Sequence, residues 1–231
     1  MTATAPIDVV FLDAGGVLVS PDEALIVRRF AEAGFEVDPA LLFAAHYHGV
    51  LAIDRARAEP EVFTDYHLAY GHHLGLGRDR LDEVAAVLQA IWTEPHLWAH
   101  PLPDVAEGLA AIAATGTPIV IVSNADGTVA DVLGRTGLLQ VGPGPGVAVH
   151  AIVDSGAVGV AKPDPRIFHL ALEAVGTTAD RAIHVGDAYQ YDVRGARGAG
   201  VRPLLVDPLG IRDDVDCERV RSLLDVAALL A

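Results

Sequence analysis

The 231 residues can hold one large domain or a core with a smaller insertion, and 52% hydrophobic content suffices for a buried core and excludes a disordered chain. Sixteen basic against 31 acidic residues give a net charge of −15, which argues against a nucleic-acid partner and for a soluble protein. A single cysteine, Cys217, excludes an intrachain disulfide and a cysteine-rich zinc site, and it fits a reducing, cytoplasmic location. No apolar run reaches membrane-spanning length, and the first residues lack the basic start and apolar centre of a signal peptide, so no membrane partner is expected. Lys162 is the single lysine among the basic residues.

In chain order, the stretch from Val9 to Val19 runs apolar into Asp13, breaks at Gly15-Gly16 and resumes apolar. That pattern predicts a buried strand with a carboxylate at its C-terminal tip, where α/β sheets place their ligands. Taken alone, the tip is ordinary turn chemistry. Residues 21–95 carry no convincing strand but four amphipathic runs, at 21–33, 39–58, 61–74 and 80–92, divided by Gly34, Pro60 and Gly75-Leu76-Gly77. This predicts a helical block inserted after the first strand. A helix over 104–114 leads to a strand over 118–122 that ends at Ser123-Asn124, with a helix at 127–135. A strand at about 149–153 follows the glycine-rich stretch 142–146, itself read as a loop, and precedes a segment ending in Ala161-Lys162-Pro163-Asp164-Pro165. Next come a helix at 166–175, a strand at 182–185 ending at Gly186-Asp187, a helix at 192–199 and a strand at 202–206. Alternating strands and helices predict an α/β fold, a doubly wound parallel sheet.

Parallel strands deliver their C-terminal tips to one edge, so Asp13, Ser123 and Asp187 are expected at one crevice, with Lys162 within reach. Carboxylates, a hydroxyl and an ammonium group converging there suit a divalent cation and an anionic substrate. Mg²⁺ typically takes one or two carboxylates and leaves other positions to water and substrate phosphate.

Four ordered segments carry a family resemblance: Phe11-Leu12-Asp13-Ala14-Gly15-Gly16-Val17-Leu18, Ile119-Val120-Ile121-Val122-Ser123-Asn124, Val158-Gly159-Val160-Ala161-Lys162-Pro163-Asp164-Pro165 and His184-Val185-Gly186-Asp187-Ala188-Tyr189-Gln190-Tyr191-Asp192. Each alone is weak, but the ordered set is specific and spans nearly the whole chain. The sequence resembles the haloacid dehalogenase-like hydrolases, in the subgroup with a helical cap inserted after the first motif. The resemblance implies a Rossmann-like core over residues 1–20 and 96–231 and an α-helical cap over 21–95. The cap is expected to close over the site on hinges near Val19–Pro21 and Pro95–Leu102. The resemblance further implies that Asp13 is a nucleophile forming an aspartyl-phosphate. Mg²⁺ would be held by Asp13, the backbone carbonyl of Gly15, Asp187 and, directly or through water, Asp192. Ser123 and the Asn124 N–H would hydrogen-bond the phosphoryl oxygens, and Lys162 would neutralise Asp13 and the phosphoryl group. A small phosphorylated metabolite is the expected substrate, and a monomer or homodimer the expected assembly.

One position departs from the family's phosphatases. Gly15 stands where most of them carry a second aspartate that protonates the leaving oxygen, a contribution of ~10²–10⁴-fold in rate. A substitute acid such as Asp126 or a cap histidine, a substrate with a good leaving group, or a loss of turnover would each account for it. The gap also points to 2-haloacid dehalogenation, where halide leaves unprotonated; that chemistry is metal-independent and generally lacks the Gly186-Asp187 start. Phosphonoacetaldehyde hydrolysis needs a cap lysine, and residues 21–95 have none. Simpler roles compete at several positions. Asp192 sits where it can cap a helix, and Ser123 where it can simply end a strand. His46, His48, His67, His72 and His73 are expected as solvated or satisfied core groups, Trp92 and Trp98 as packing, and 213–218 as solvated acidic surface.

Overall fold

A computed structural model of the chain describes residues 6–56, 62–76 and 80–231. The expected helix ends at Ala58 and Glu61, the breaker Pro60 and the turn residue Gly77 lie outside them. The chain forms two compact units, Met1–Leu18 with Pro101–Ala231, and Val19–His100. The first unit opens with β1 (Val9–Leu12), buried along its whole length.

The second unit opens with β2 (Val19–Ser20), which pairs with β3 (His100–Pro101), the strand whose His100 closes the unit. Between them lie α1 (Glu23–Glu32), α2 (Leu42–Ala56), α3 (Val62–His73) and α4 (Leu81–Ile91). Helix α1 starts where Asp22 Oδ1 accepts the Leu25 N–H at 2.8 Å, and its apolar period buries Ile26 and Phe30. Residues 96–100 belong with this unit: Asp22 N–H donates to the Leu97 carbonyl at 2.7 Å and Ser20 Oγ reaches the His100 carbonyl. Helices α2 and α3 approach closely because position 49 has no side chain; a Cβ there would lie 2.6 Å from the Tyr66 ring. The cap-region histidines divide by environment. His46 is buried with Nδ1 2.9 Å from Tyr66 Oη, and His67 is buried and pushed down to about 4 by desolvation. His48 stacks on His73 with centroids 4.2 Å apart, and His72 is exposed. Trp92 and Trp98 pack edge to face.

The first unit continues with α5 (Val105–Ala114), β4 (Ile119–Ser123), α6 (Val129–Thr136), β5 (Leu139–Val141), β6 (Val147–Val149), β7 (Ala151–Asp154), α7 (Ser155–Val158), α8 (Arg166–Val175), β8 (Ala182–Gly186), α9 (Arg194–Gly198), β9 (Arg202–Val206), β10 (Glu218–Val220) and α10 (Leu223–Leu230). Six strands form one all-parallel sheet in the order β10-β9-β8-β1-β4-β7. Such a sheet, covered on both faces, needs continuous apolar strands, and β1, β4 and β8 are buried throughout. On one face Val9, Phe11, Val120 and Val122 pack against Ile167, Phe168, Ala171 and Leu172 of α8. Each such large side chain contributes roughly 1.5–3 kcal/mol by leaving water. Helix α5 packs on α10 so closely that a Cβ on Gly108 would lie 2.5 Å from Leu223 Cβ.

Two features differ from expectation, and a third adds to it. The expected helix at 192–199 begins earlier, as a π-helical turn over Tyr189–Val193 that runs into α9. The acidic stretch 213–218 is exposed at Asp213, Asp214, Asp216 and Glu218, as expected of solvated surface, and it also carries ion pairs: Arg219 meets Asp213 at 2.9 Å, Arg197 meets Asp216 at 3.0 Å and Arg202 meets Glu218 at 2.5 Å. Glu218 itself belongs to β10, the sixth strand. Arginines from three separate places in the chain make these pairs, which local charge patterning does not reveal.

Candidate active site

The strand order reverses at β1: the chain moves outward through β4 and β7, then returns to β8 on the other side. Such switch points leave a crevice at the carboxyl ends of the strands. Register sets the tips. Leu12 pairs with Val185 and with Ile121, so Asp13, one residue on, stands beside the ends of both neighbours, which lead into Asp187 and Ser123. Asp13 N–H donates to the Val185 carbonyl at 2.9 Å, continuing the ladder to the strand-tip carboxylate itself. The chain then turns back, with Leu18 N–H on the Ala14 carbonyl and Gly16 at φ +69°, a conformation that favours glycine.

Asp13, Asp187 and Asp192 each offer an oxygen within 4.8 Å of the others. Lys162 Nζ lies 2.8 Å from Asp13 Oδ2 and 2.6 Å from Asp192 Oδ1, and all four residues are at least 90% buried. The lysine is aimed by Asn124, whose side chain accepts the Lys162 N–H at 2.7 Å and donates to the Lys162 carbonyl at 2.9 Å. This two-point clamp ties the loop after α7 to the tip of β4. Asp154 fixes that tip from beneath, accepting the N–H groups of Gly127, Val129 and Gly156. Ser123 is buried at the end of β4, and Gly15 is half-buried after β1.

Asp192 is the most heavily committed member. Its Oδ1 takes both Lys162 Nζ and His184 Nε2, the latter at 2.9 Å, while Oδ2 accepts the Ala188 N–H at 3.0 Å. The π-helical turn delivers it, and such widened turns are frequent at functional sites. Its carboxylate rests against Gly186, where a Cβ would overlap both Asp192 Cβ and Cγ. The glycine of Gly186-Asp187 is therefore required by the carboxylate six residues ahead. Gly186→Ala should displace Asp192, cost ~1–3 kcal/mol of stability as overpacking does, and lower any Asp13-dependent turnover at least tenfold. Wild-type melting and activity in this variant would overturn that reading.

The charges are strongly coupled. Burial pushes Asp13 up to about 7, with Lys162 opposing and Asp192 and Asp187 adding repulsion. Burial also resists ionisation of Asp192, but Lys162 and His184 outweigh it and hold its carboxyl well below the usual range. For Lys162, burial disfavours the charge and the two carboxylates more than restore it, so its net shift is upward.

The structure therefore brings Asp13, Lys162, Asp187 and Asp192 together, with Ser123 at the neighbouring tip. Asp126 is exposed, and its Oδ1 is engaged by the Thr128 N–H and hydroxyl. Two residues escaped the sequence reading. His184 is fully buried on β8, and Arg212 is buried with Nη1 3.4 Å from the Asp187 carbonyl. A histidine inside an otherwise apolar strand was the visible signal for the first. Nothing local marked the second, which is set in place by Asp207 at the tip of β9 accepting the Ile211 and Arg212 N–H groups.

Among the described residues, no helix is long and apolar enough to cross a membrane. Comparisons with known proteins agree with the fold and motifs. A stretch of 66 residues is 53% identical to phosphoserine phosphatase of Thermus thermophilus, covering 28% of this chain and only 26% of that protein. Glyceraldehyde 3-phosphate phosphatase of Methanopyrus kandleri is 27% identical over 222 residues, 89% of this chain and 88% of the relative. A HAD phosphatase structure from Thermococcus onnurineus superposes with a TM-score of 0.59 at 19% identity, covering 97% of this chain and 98% of that one, a likeness of fold. The model of the haloacid dehalogenase-like hydrolases matches residues 7–200, and the chain belongs to that family of hydrolases.

Proposed function

We propose that the protein is a Mg²⁺-dependent phosphatase acting in the cytoplasm on a small phosphorylated metabolite through an aspartyl-phosphate on Asp13. The observation that carries this reading is the charge balance of one buried cluster. Three carboxylates with oxygens within 4.8 Å and one ammonium 2.8 Å from Asp13 sum to −2 when all are ionised. A divalent cation neutralises that sum, and all-oxygen donors suit Mg²⁺. Asp13, the Gly15 carbonyl and Asp187 would hold it. Asp192 Oδ1 is already shared by two donors, which leaves one lone pair of Oδ2, or a water, to face the ion. When bound, the cation supplies charge neutralisation for an incoming phosphoryl group.

The chain's own groups then divide the work. Asp13 attacks phosphorus, the leaving oxygen departs with the substrate remnant, and water hydrolyses the aspartyl-phosphate to return the carboxylate and inorganic phosphate. Ser123 Oγ and the Asn124 N–H donate to phosphoryl oxygens, and Lys162 offsets the negative charge shared by Asp13 and the phosphoryl group. With Gly15 where an acid would stand, leaving groups that depart as stable anions are favoured. Acetyl phosphate and p-nitrophenyl phosphate should exceed simple alkyl phosphates in kcat/KM by roughly 10²-fold or more. Equal rates across that series would mean another residue donates the proton.

Gly15 also favours a second reading, 2-haloacid dehalogenation through an ester on Asp13, which needs no acid. Asp187 argues against it, because a third buried carboxylate has no use in a metal-free site. Phosphate release from acetyl phosphate with and without Mg²⁺, beside halide release from a 2-haloacid, separates the two. Metal-dependent phosphate release supports the phosphatase. Metal-independent halide release supports the dehalogenase, and neither, with Mg²⁺ still bound, marks a binding module.

A further inference from the structure

We propose that His184 is a positioning residue of this site, an imidazole whose Nε2 holds the Asp192 carboxylate in the one orientation that places Lys162 Nζ against Asp13. The inference rests on the phosphatase reading for its kinetic consequence but on geometry alone for its structural one. His184 is 0% exposed in the centre of the sheet, between Ile183 and Val185, where a polar side chain is costly unless it is paired. Its pairing is specific: Nε2 lies 2.9 Å from Asp192 Oδ1, the same oxygen that Lys162 Nζ meets at 2.6 Å. The Phe168 ring stands edge to face on the imidazole at 4.8 Å, which fixes the ring plane.

Three groups hold the carboxylate, and only one of them connects to Asp13. Ala188 N–H fixes Oδ2, His184 fixes Oδ1, and Lys162 then bridges Oδ1 to Asp13 Oδ2 at 2.8 Å. Both Asp192 oxygens face nitrogen donors, Lys162 Nζ and the Ala188 N–H, so Nε2, 2.9 Å from Oδ1, takes the donor's part in this contact as well. Without that donor, Oδ1 is restrained by the ammonium alone, and the carboxylate and lysine can move together away from Asp13. A partner that orients a site ligand in this way typically affects activity 10–100-fold.

Lys162, the sole lysine, allows a direct test. Protein labelled with ¹⁵N-lysine gives a single side-chain ammonium resonance, read in the metal-free state without any substrate. His184→Gln, whose amide N–H reaches about as far as Nε2, should keep that resonance near its wild-type position and kcat for acetyl phosphate within about threefold. His184→Leu removes the donor at similar volume; it should move or broaden the resonance and lower kcat roughly tenfold or more, with KM changed less than about threefold. His184→Asn keeps a buried amide but ends one methylene short, so it should behave like the leucine variant and serves if that variant fails to fold. Melting curves establish that the compared variants are folded. An unmoved ammonium resonance in the folded Leu or Asn variant would overturn the proposal, as would equal kcat in Gln, Leu and Asn variants. Wild-type protein without phosphatase activity would instead count against the phosphatase reading, while the resonance would still decide the role of His184.

Discussion

Asp13→Asn protein should release phosphate from acetyl phosphate on the order of 10⁴-fold more slowly than wild type, because an amide neither attacks phosphorus nor carries the covalent intermediate. That loss equals more than ~5 kcal/mol of barrier, well beyond what a shifted side chain explains. Full activity in this variant would remove Asp13 from the chemistry and with it the aspartyl-phosphate. The same substitution should affect stability in the opposite direction. Without metal, Asp13 titrates at about 7 in the folded protein against an ordinary value of 3.8. Between those values the folded chain holds a proton that the unfolded chain has released, so wild-type stability falls as pH rises through that window. The span corresponds to ~4 kcal/mol at most. Asparagine cannot ionise and lacks this slope. In EDTA, Asp13→Asn should therefore be the more stable protein at pH 8, and the gap should narrow towards pH 5. Denaturant unfolding across that range measures it; a variant less stable than wild type at pH 8 would contradict the charge balance inferred for the cluster.

Replacing Lys162 by methionine should be the most damaging change to both fold and turnover. Its side chain is 1% exposed and serves two carboxylates. Removing it leaves Asp13 and Asp192 without a shared counter-charge, a loss of ~3–5 kcal/mol for a broken buried pair. On the proposed mechanism it also removes the cation that offsets phosphoryl charge, which should cost ~10²–10³ in kcat. The sign with pH follows from the raised pKa of the ammonium: its contribution is present below the ordinary value of 10.5 and is lost only as pH climbs through the higher folded value. The stability gap between wild type and Lys162→Met should be present at neutral pH, widen above pH 7 because Asp13 without Lys162 keeps its proton further up the scale, and close only in strong alkali. Arginine should not rescue, because a planar fork does not reproduce the point charge that Nζ places within 2.8 Å of both carboxylates. Combining Lys162→Met with Asp13→Asn should recover part of the stability and none of the activity, since one of the two stranded charges is gone. A Lys162→Met protein with wild-type melting would show that the pair contributes nothing to the fold.

Much of the fold was legible along the chain because a parallel sheet writes itself in short apolar runs separated by helical periods. β1, β4, β8 and β9 fell where their β-branched runs predicted, and α8 spans Arg166–Val175 as its pattern required. The strand-tip residues were legible for the same reason: Asp13, Ser123 and Asp187 stand where apolar sequence ends. Features set by distant residues were not. The ion pairs of 213–218 depend on Arg197, Arg202 and Arg219, and the π-helical start of α9 depends on the pocket that receives Asp192.

By itself, the sequence determined which groups the strand ends can bring together: a single lysine, three carboxylates at or near strand tips, and a glycine pair after the first of them. Only the tertiary structure decided their division of labour. It set Asp192 against Gly186 with His184 and Lys162 on one oxygen, turned the Asn124 side chain to the Lys162 backbone, and brought Arg212 to the Asp187 carbonyl. The reason is physical. Apolar periodicity is a property of neighbours in sequence, whereas the pairing of buried charges is a property of neighbours in space, 30 or more residues apart for Lys162 with Asp192 and Asn124.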